Sequence, residues 1–458
     1  MLNGIKVKNF RSLHDAQFEL KPITLLIGPN NSGKSSFISL LTTLKQTLSS
    51  RSDKSPLILE GPLVQLGSYR DVVYGHKIEN EIEVELTFSK KGFSALLRRP
   101  PNSGENSSIF EISRFLPHSI TFRVKYDERS ETIFLKDLKV NRNEADSLIS
   151  VENNVMVSLF NKDLKTPIEI SSDKILQEPR TSRIFVTQRH FMWSVSMPLE
   201  TKGVMINELW LRRYPNAIEE YFQEFLLYLG PLREYPKRYY ISSGEKPSDV
   251  GLRGEKTIDY LYSLYEENIR KINYWFRKFE MAESITIEKL SPKASIWKVE
   301  LKNMRTGSND NLKDVGFGIS QVLPIVTEGI TAKKGTLLLI EQPEIHLHPK
   351  AQAELADLFI DLAKSDKTSV IETHSEHMML RFARRIAEGE LKREDIVLYE
   401  FTLDSNGTIV KRIDFDKNGN IEYWPAGFFE TDLQETMQHL KAQTNKHSGE
   451  AENGDVGS

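Results

Sequence analysis

The chain has 458 residues, 39% hydrophobic and 27% charged, enough apolar material to fill the cores of two or three globular domains. A net charge of -3 excludes a global attraction to nucleic acid or membrane and leaves only local basic patches for such contacts. The absence of cysteine excludes disulfides, thiolate nucleophiles and cysteine-ligated zinc or iron-sulfur centres.

The N-terminal MLNGIKVKNFRSL lacks a charged-then-apolar leader pattern, and no run approaches the roughly 20 apolar residues that span a bilayer. The expectation is a cytoplasmic protein with no membrane contact. Alternation from Ile5 to Phe18 predicts a hairpin, and PITLLI (Pro22 to Ile27) predicts a buried strand running into a glycine loop. That loop, Gly28-Pro29-Asn30-Asn31-Ser32-Gly33-Lys34-Ser35, satisfies G-x-x-x-x-G-K-[ST], in which side-chain-free backbone wraps phosphate oxygens. Lys34 would reach the outer phosphates and Ser35 a magnesium ion, with Asn30, Asn31, Ser32, Gly33 and Ser36 completing the cradle. Phe37, Leu40, Leu41, Leu44 and Leu48 then recur at helical spacing.

Period-two alternation in IEVELTF (82 to 88), SITFRVKY (119 to 126) and ETIFLKDLKV (131 to 140) predicts antiparallel strands. Helical periodicity appears in AIEEYFQEFLLYL (217 to 229) and across 257 to 279. Between them lies a basic loop with interleaved tyrosines, Arg233 to Arg253. Its readings are a solvated loop, a contact to a neighbouring head or nucleotide, or a nucleic-acid surface.

VGFGISQVLPIV places Gly318 and Ser320 just ahead of an apolar helix, where free N-H groups and a hydroxyl could grip an anion. TLLLIEQPEIHLHP is a buried strand ending in Glu341, Gln342 and Glu344, with Glu341 fitted to a magnesium ion held by Ser35. A helix over about 350 to 363 and the strand TSVIET (368 to 373) follow, and Glu372-Thr373-His374-Ser375 sets an imidazole at a neighbouring strand end. Strands alternating with helices imply a mainly parallel sheet. GTIVKRIDF and NIEYW flank the turn DKNGN and predict a small hairpin.

Taken in order, KNFRSL, GPNNSGKSS, GFGISQVLP, LLIEQPEIHLHP and ETHS resemble the ABC-type ATPases of the SMC/RecF/OLD group. The resemblance implies an α/β ABC-type ATPase head, with a mainly parallel sheet flanked by helices, an antiparallel β subdomain and a compact insertion in place of a long coiled coil. The implied division is 1-126 and 286-440 as the two parts of the head, 127-285 as the insertion and 441-458 as a disordered tail. It further implies ATP and Mg2+ as ligands, bound between two heads in a homodimer or higher homo-oligomer. Arg11 would lie near the nucleotide, Gly318, Ser320 and Gln321 would cap ATP on the other protomer, His374 would be the switch histidine, and Gln65 would be a metal-linked glutamine. YLGPLREYPKRYY and IEYWPAGFFETDL narrow the likeness to short ATPases of prokaryotic anti-phage operons such as Septu, which act with a separate HNH-type nuclease. The alternatives are a RecF-like repair ATPase that binds DNA directly and, more remotely, a transporter ATPase, against which the missing LSGGQ sequence speaks.

One departure concerns mechanism. The group places a glutamate where this chain has Gln342, and an amide has negligible proton affinity. Either Glu344 or His374 supplies the base, or turnover is slow and ATP works as a clamp. The last is the favoured expectation.

Overall fold

The computed structural model describes residues 1–50, 55–89, 118–141 and 218–425, apart from 243, 245, 292 and 293, together with five strands between 147 and 196. The expected tail, 441-458, lies outside the described residues.

The chain opens with the hairpin β1 (Leu2–Phe10) and β2 (Leu13–Glu19), then β3 (Ile23–Ile27), the phosphate-type loop and α1 (Lys34–Ser49). A helical turn, α2 (Tyr69–Val72), leads to β4 (Ile82–Phe88), β5 (Ser119–Asp127), β6 (Thr132–Asn141), β7 (Ser147–Glu152), β8 (Val155–Leu159) and β9 (Ile168–Glu169). All but β3 form one antiparallel sheet in the order β2-β1-β4-β5-β6-β7-β8-β9. That sheet therefore continues across residue 126 into the segment read as an insertion. A separate hairpin pairs β10 (Phe185–Arg189) with β11 (Met192–Ser196).

The central sheet runs β12-β17-β18-β3-β19-β20, built from β12 (Leu226–Leu229), β17 (Leu337–Glu341), β18 (Thr368–Glu372), β3, β19 (Ile396–Asp404) and β20 (Gly407–Ile413). All its pairings are parallel except β19 with β20. Alternate side chains of β17 enter opposite cores: Leu337 and Leu339 join the cluster under the antiparallel sheet, whereas Leu338 and Ile340 join the cluster under the helices. Burial on both faces explains why these strands read as unbroken apolar runs. The helical side carries α3 (Thr257–Tyr262), α4 (Glu266–Lys278), α5 (Phe317–Thr331), α6 (Pro349–Lys364) and α7 (Glu376–Ala387). A small sheet of β13 (Tyr240–Ile241), β14 (Ser284–Ser291), β15 (Ala294–Lys302) and β16 (Asn309–Asn311) completes the fold. The architecture is the α/β head expected from the sequence, with a mainly parallel sheet and an antiparallel β subdomain.

Four expectations change. Residues 217 to 229 are not one helix: a π-helical turn, Tyr221–Phe225, gives way to β12, because β17 offers a parallel partner from Leu226↔Leu337 to Leu229↔Ile340. The helix over 257 to 279 is two, with Tyr265 in an extended conformation at the N-cap of α4. Residues 407 to 413 pair with β19 and not with NIEYW; the DKNGN turn closes on the single bridge Phe415↔Ile421. Gly318 and Ser320 lie inside the first turn of α5.

Candidate functional site

The ends of β3, β17 and β18 open on one cleft of about 530 Å³. It is lined by Arg11, Asn30, Asn31, Ser32, Gly33, Lys34, Ser35, Ser36, Glu341 and Gln342, all expected from the sequence, and by Ser12, Asp71, Val73, Gly75, His76, Pro231 and Glu372.

The loop's shape depends on its glycines. Gly28 has φ 138° and a Cβ there would lie 2.2 Å from the Phe401 carbonyl; Gly33 has φ 103° and a Cβ would lie 2.2 Å from Thr408 Oγ1. Both are positions for glycine alone, by dihedral and by space. Gly33 is the N-cap of α1 and supplies no side-chain cap; the Ser36 N-H turns back to the Gly33 carbonyl at 3.0 Å, and the N-H groups of Lys34 and Ser35 ahead of it are left for a ligand in the cleft. Four non-glycine residues with left-handed backbone also line the cleft: Arg11 (φ 51°), Asn31 (φ 65°), His76 (φ 58°) and Gln342 (φ 44°). Strained backbone gathered in one place is a mark of a functional site.

Lys34 is buried, and its Nζ donates to the carbonyls of Gly28 and Pro29 at 2.8 Å each while standing 3.9 Å from Glu372 Oε1. Burial lowers its pKa, and Glu372 opposes that shift. Glu341 and Glu372 are paired in register at the ends of β17 and β18. Burial raises both carboxyls above their ordinary range, Glu372 to about 7, where the Glu341 charge adds to the shift. The Tyr228 hydroxyl donates to Glu341 Oε1. Beneath them lies Arg233, 2% exposed, which donates through Nη2 to the Glu341 carbonyl at 2.7 Å and through Nη1 to the Gln342 carbonyl at 3.2 Å. Burial brings its pKa down to about 10 against the pull of Glu344, Glu341 and Tyr228, so it stays cationic at neutral pH.

Arg233 corrects the reading of the basic loop: it is an internal strut, not a phosphate-backbone contact. Lys237 pairs with Glu234, and Arg238 pairs with Asp314 at 2.6 Å.

The cleft is suited to a polyphosphate with a divalent cation. The Ser32 hydroxyl oxygen and Glu372 Oε2 are buried without a hydrogen-bond partner, and the donor set is hard oxygen, the chemistry magnesium takes.

Other predicted residues lie apart from the cleft lining. Glu344 is buried and accepts from the His374 N-H at 2.7 Å, tying the turn after β17 to the end of β18; burial raises its pKa. His374 keeps much of its surface in solvent, and partial desolvation, then the Lys34 charge, lower its imidazole pKa. Gln65 is exposed and pairs with Glu60 in an isolated bridge. Gly318 packs against the His346 carbonyl, Ser320 donates to the Phe317 carbonyl within α5 at 2.7 Å, and Gln321 is buried. Ser320 lines a separate recess with Tyr235, Tyr240 and Pro324.

The family described as AAA ATPase domain matches residues 1–197 and 236–379. This chain belongs to that family. As an AAA ATPase-domain protein it is a nucleotide-binding protein, and the cleft is where its phosphate loop opens. Similar solved structures are the SMC head bound to the C-winged helix domain of ScpA (12% identity over 91% of this chain and 98% of that one, TM-score 0.43) and the SMC head domain from Thermotoga maritima (10%, 90% and 98%, 0.39). A third is the SMC head with an extended coiled coil bound to the C-terminal domain of ScpA derived from Pyrococcus furiosus (13%, 97% and 99%, 0.41). No curated protein matches the chain. Among the described residues no helix is long and apolar enough to cross a membrane.

Sequence reasoning missed Glu372 as a cleft residue, although an acid ending an apolar strand was visible. It also missed Tyr228, whose segment reads as helix, and Asp71 and His76, which carry no local signal.

Proposed function

We propose that this AAA ATPase-domain protein is an ATP-held switch. The cleft binds ATP with Mg2+, the start of α5 on a second copy closes over it, and the resulting homodimer or larger homo-oligomer controls a separate effector, an HNH-type nuclease, in defence against phage. The observation that carries this reading is the separation within one chain of the phosphate-loop cleft from Gly318, Ser320 and Gln321, which line or pack elsewhere. A helix start presents backbone N-H groups to an anion, and the start of α5 does not line its own chain's cleft, so it is suited to a site on another copy. The effector and phage parts rest on the sequence resemblance of YLGPLREYPKRYY and IEYWPAGFFETDL.

Within the site, Lys34 and the N-H groups at the start of α1 neutralise phosphate, and Ser35 and Glu341 would hold the cation. Magnesium, when bound, offsets charge on the outer phosphates. Gln342 can orient a water but cannot take its proton, and one oxygen of Glu344 is committed to the His374 N-H. Slow turnover follows, with ATP acting through its occupancy.

The test is mass and turnover measured together. Wild type with ATP should shift to dimer or larger with little hydrolysis; Lys34→Ala should lose nucleotide and the shift; Ser320→Arg should keep nucleotide and lose the shift. A Ser320→Arg protein that still assembles with ATP sinks the sandwich. Co-purification with a nuclease encoded beside it, released in an ATP-dependent way, supports the effector part, and salt-dependent DNA binding without any such partner favours the RecF-like alternative.

A further inference from the structure

The phosphate-loop pattern and the acidic strand ask for one carboxylate, Glu341. The cleft has two. Glu372 closes β18, the strand between β3 and β17, and stands in register with Glu341, so two carboxyl groups end adjacent strands side by side. Both line the cleft that Ser35 lines, and they are 9% and 5% exposed.

Their partners differ. Glu341 Oε1 accepts the Tyr228 hydroxyl, whereas Glu372 Oε2 is buried with no hydrogen-bond partner. Leaving such an oxygen bare in a buried site costs on the order of 1–3 kcal/mol or more. Lys34 does not meet the need. Its Nζ is hydrogen-bonded to the Gly28 and Pro29 carbonyls at 2.8 Å, and it reaches only the other oxygen of Glu372, at 3.9 Å. The two carboxyls also stand close enough to share a proton, and ionised together they repel; a divalent cation between them takes the place of that proton and offsets both charges. Magnesium accepts one or two carboxylates together with phosphate oxygens and water.

We propose that Glu372 is a second acidic ligand of the divalent cation, sharing it with Glu341 in the nucleotide cleft. The inference rests on the nucleotide-site reading above and adds a residue to it. Cation affinity is then set by a carboxylate pair on two parallel strands, and either strand end alone holds the ion weakly.

The experiment uses the full chain and Mn2+ as the probe. Mn2+ affinity is measured by electron paramagnetic resonance with the slowly hydrolysed analogue ATPγS bound, and metal-free binding of a fluorescent ATP analogue is measured in EDTA. Glu372→Gln should weaken Mn2+ by about 10- to 100-fold, as should Glu341→Gln, while nucleotide in EDTA binds no more weakly than to wild type, since a negative charge facing the phosphates has been removed. Glu372→Asp keeps the charge and should recover part of the loss. Unchanged Mn2+ affinity in a folded Glu372→Gln protein overturns the proposal, including the case in which turnover falls, since Glu372 would then serve Lys34 or a water. Should Glu372→Gln fail to fold, hyperfine coupling decides: in protein carrying 13C-labelled glutamate carboxyls, Mn2+ bound to Glu341→Gln should still couple to a carboxyl carbon, and loss of all coupling overturns the assignment. A wild type that binds no nucleotide analogue in EDTA or with Mn2+ defeats the site reading itself, a distinct result.

Discussion

Replacing Arg233 by methionine should be among the most damaging single changes in this chain. The guanidinium is 2% exposed and hydrogen-bonds two carbonyls of the turn that carries Gln342 at φ 44°. Each charge-assisted bond of this kind is worth roughly 1.5–3 kcal/mol, and the substitution also leaves buried Glu341 and Glu344 without their nearby cation. The terms overlap, so the expected loss is close to that of the two charge-assisted bonds themselves, about 3–5 kcal/mol. Methionine matches the volume of the aliphatic stem and keeps cavity formation small. Urea unfolding followed by tryptophan fluorescence measures the loss, and Arg233→Lys should restore only part of it, because one ammonium cannot span both carbonyls in the same planar way. The turn that positions Glu341 and Gln342 would relax, so Mg2+-dependent nucleotide affinity should fall further than metal-free affinity. A loss under about 1 kcal/mol, with both affinities intact, would refute the strut, since buried cations that cost more in desolvation than they return can be replaced by an apolar group at no cost.

Gln342→Glu should raise ATP turnover by about tenfold or more in a malachite-green assay, because it adds a proton acceptor to a cleft wall that now carries an amide; an unchanged rate shows that another group already serves. Glu328, buried in α5 and accepting the Val250 N-H at 2.8 Å, is pushed by burial from 4.5 to about 7, with Asp249 adding to the shift and Lys45 and Lys367 opposing it. Its folded form binds more protons between those values, so the associated stability, up to about 3 kcal/mol, is present below about pH 4.5 and lost as pH rises through about 7. Glu328→Gln should flatten that decline and be the more stable protein at pH 8; parallel stability-against-pH curves for the two proteins count against it. Gly28→Ala should leave the protein insoluble or unfolded at 37 °C, given a Cβ 2.2 Å from the Phe401 carbonyl at φ 138°. A soluble variant with wild-type melting temperature shows that the loop moves freely away from β19.

The sequence by itself determined the phosphate loop, the helix behind it and the acidic strand, because each depends on local pattern: glycines at fixed spacing, an apolar stripe of period 3.6 and a doubly buried run ending in acid. It also marked inner strands of the parallel sheet, since runs such as TLLLI and TSVIE show no apolar-polar alternation and must bury both faces. Tertiary structure alone decided whether 226 to 229 became helix or strand, because Leu226 and Leu229 suit either period and the open edge of β17 settled it. It alone placed Arg233, whose flanking tyrosines and basic neighbours look like a surface loop until the guanidinium is seen under the acids. The pairing of Glu341 with Glu372 likewise spans 31 residues of chain and exists only because β17 and β18 are parallel neighbours in register. Local pattern fixes what a segment prefers; which distant groups share one buried, low-dielectric space is set by how strands are ordered, and that order fixes the charge balance of the cleft.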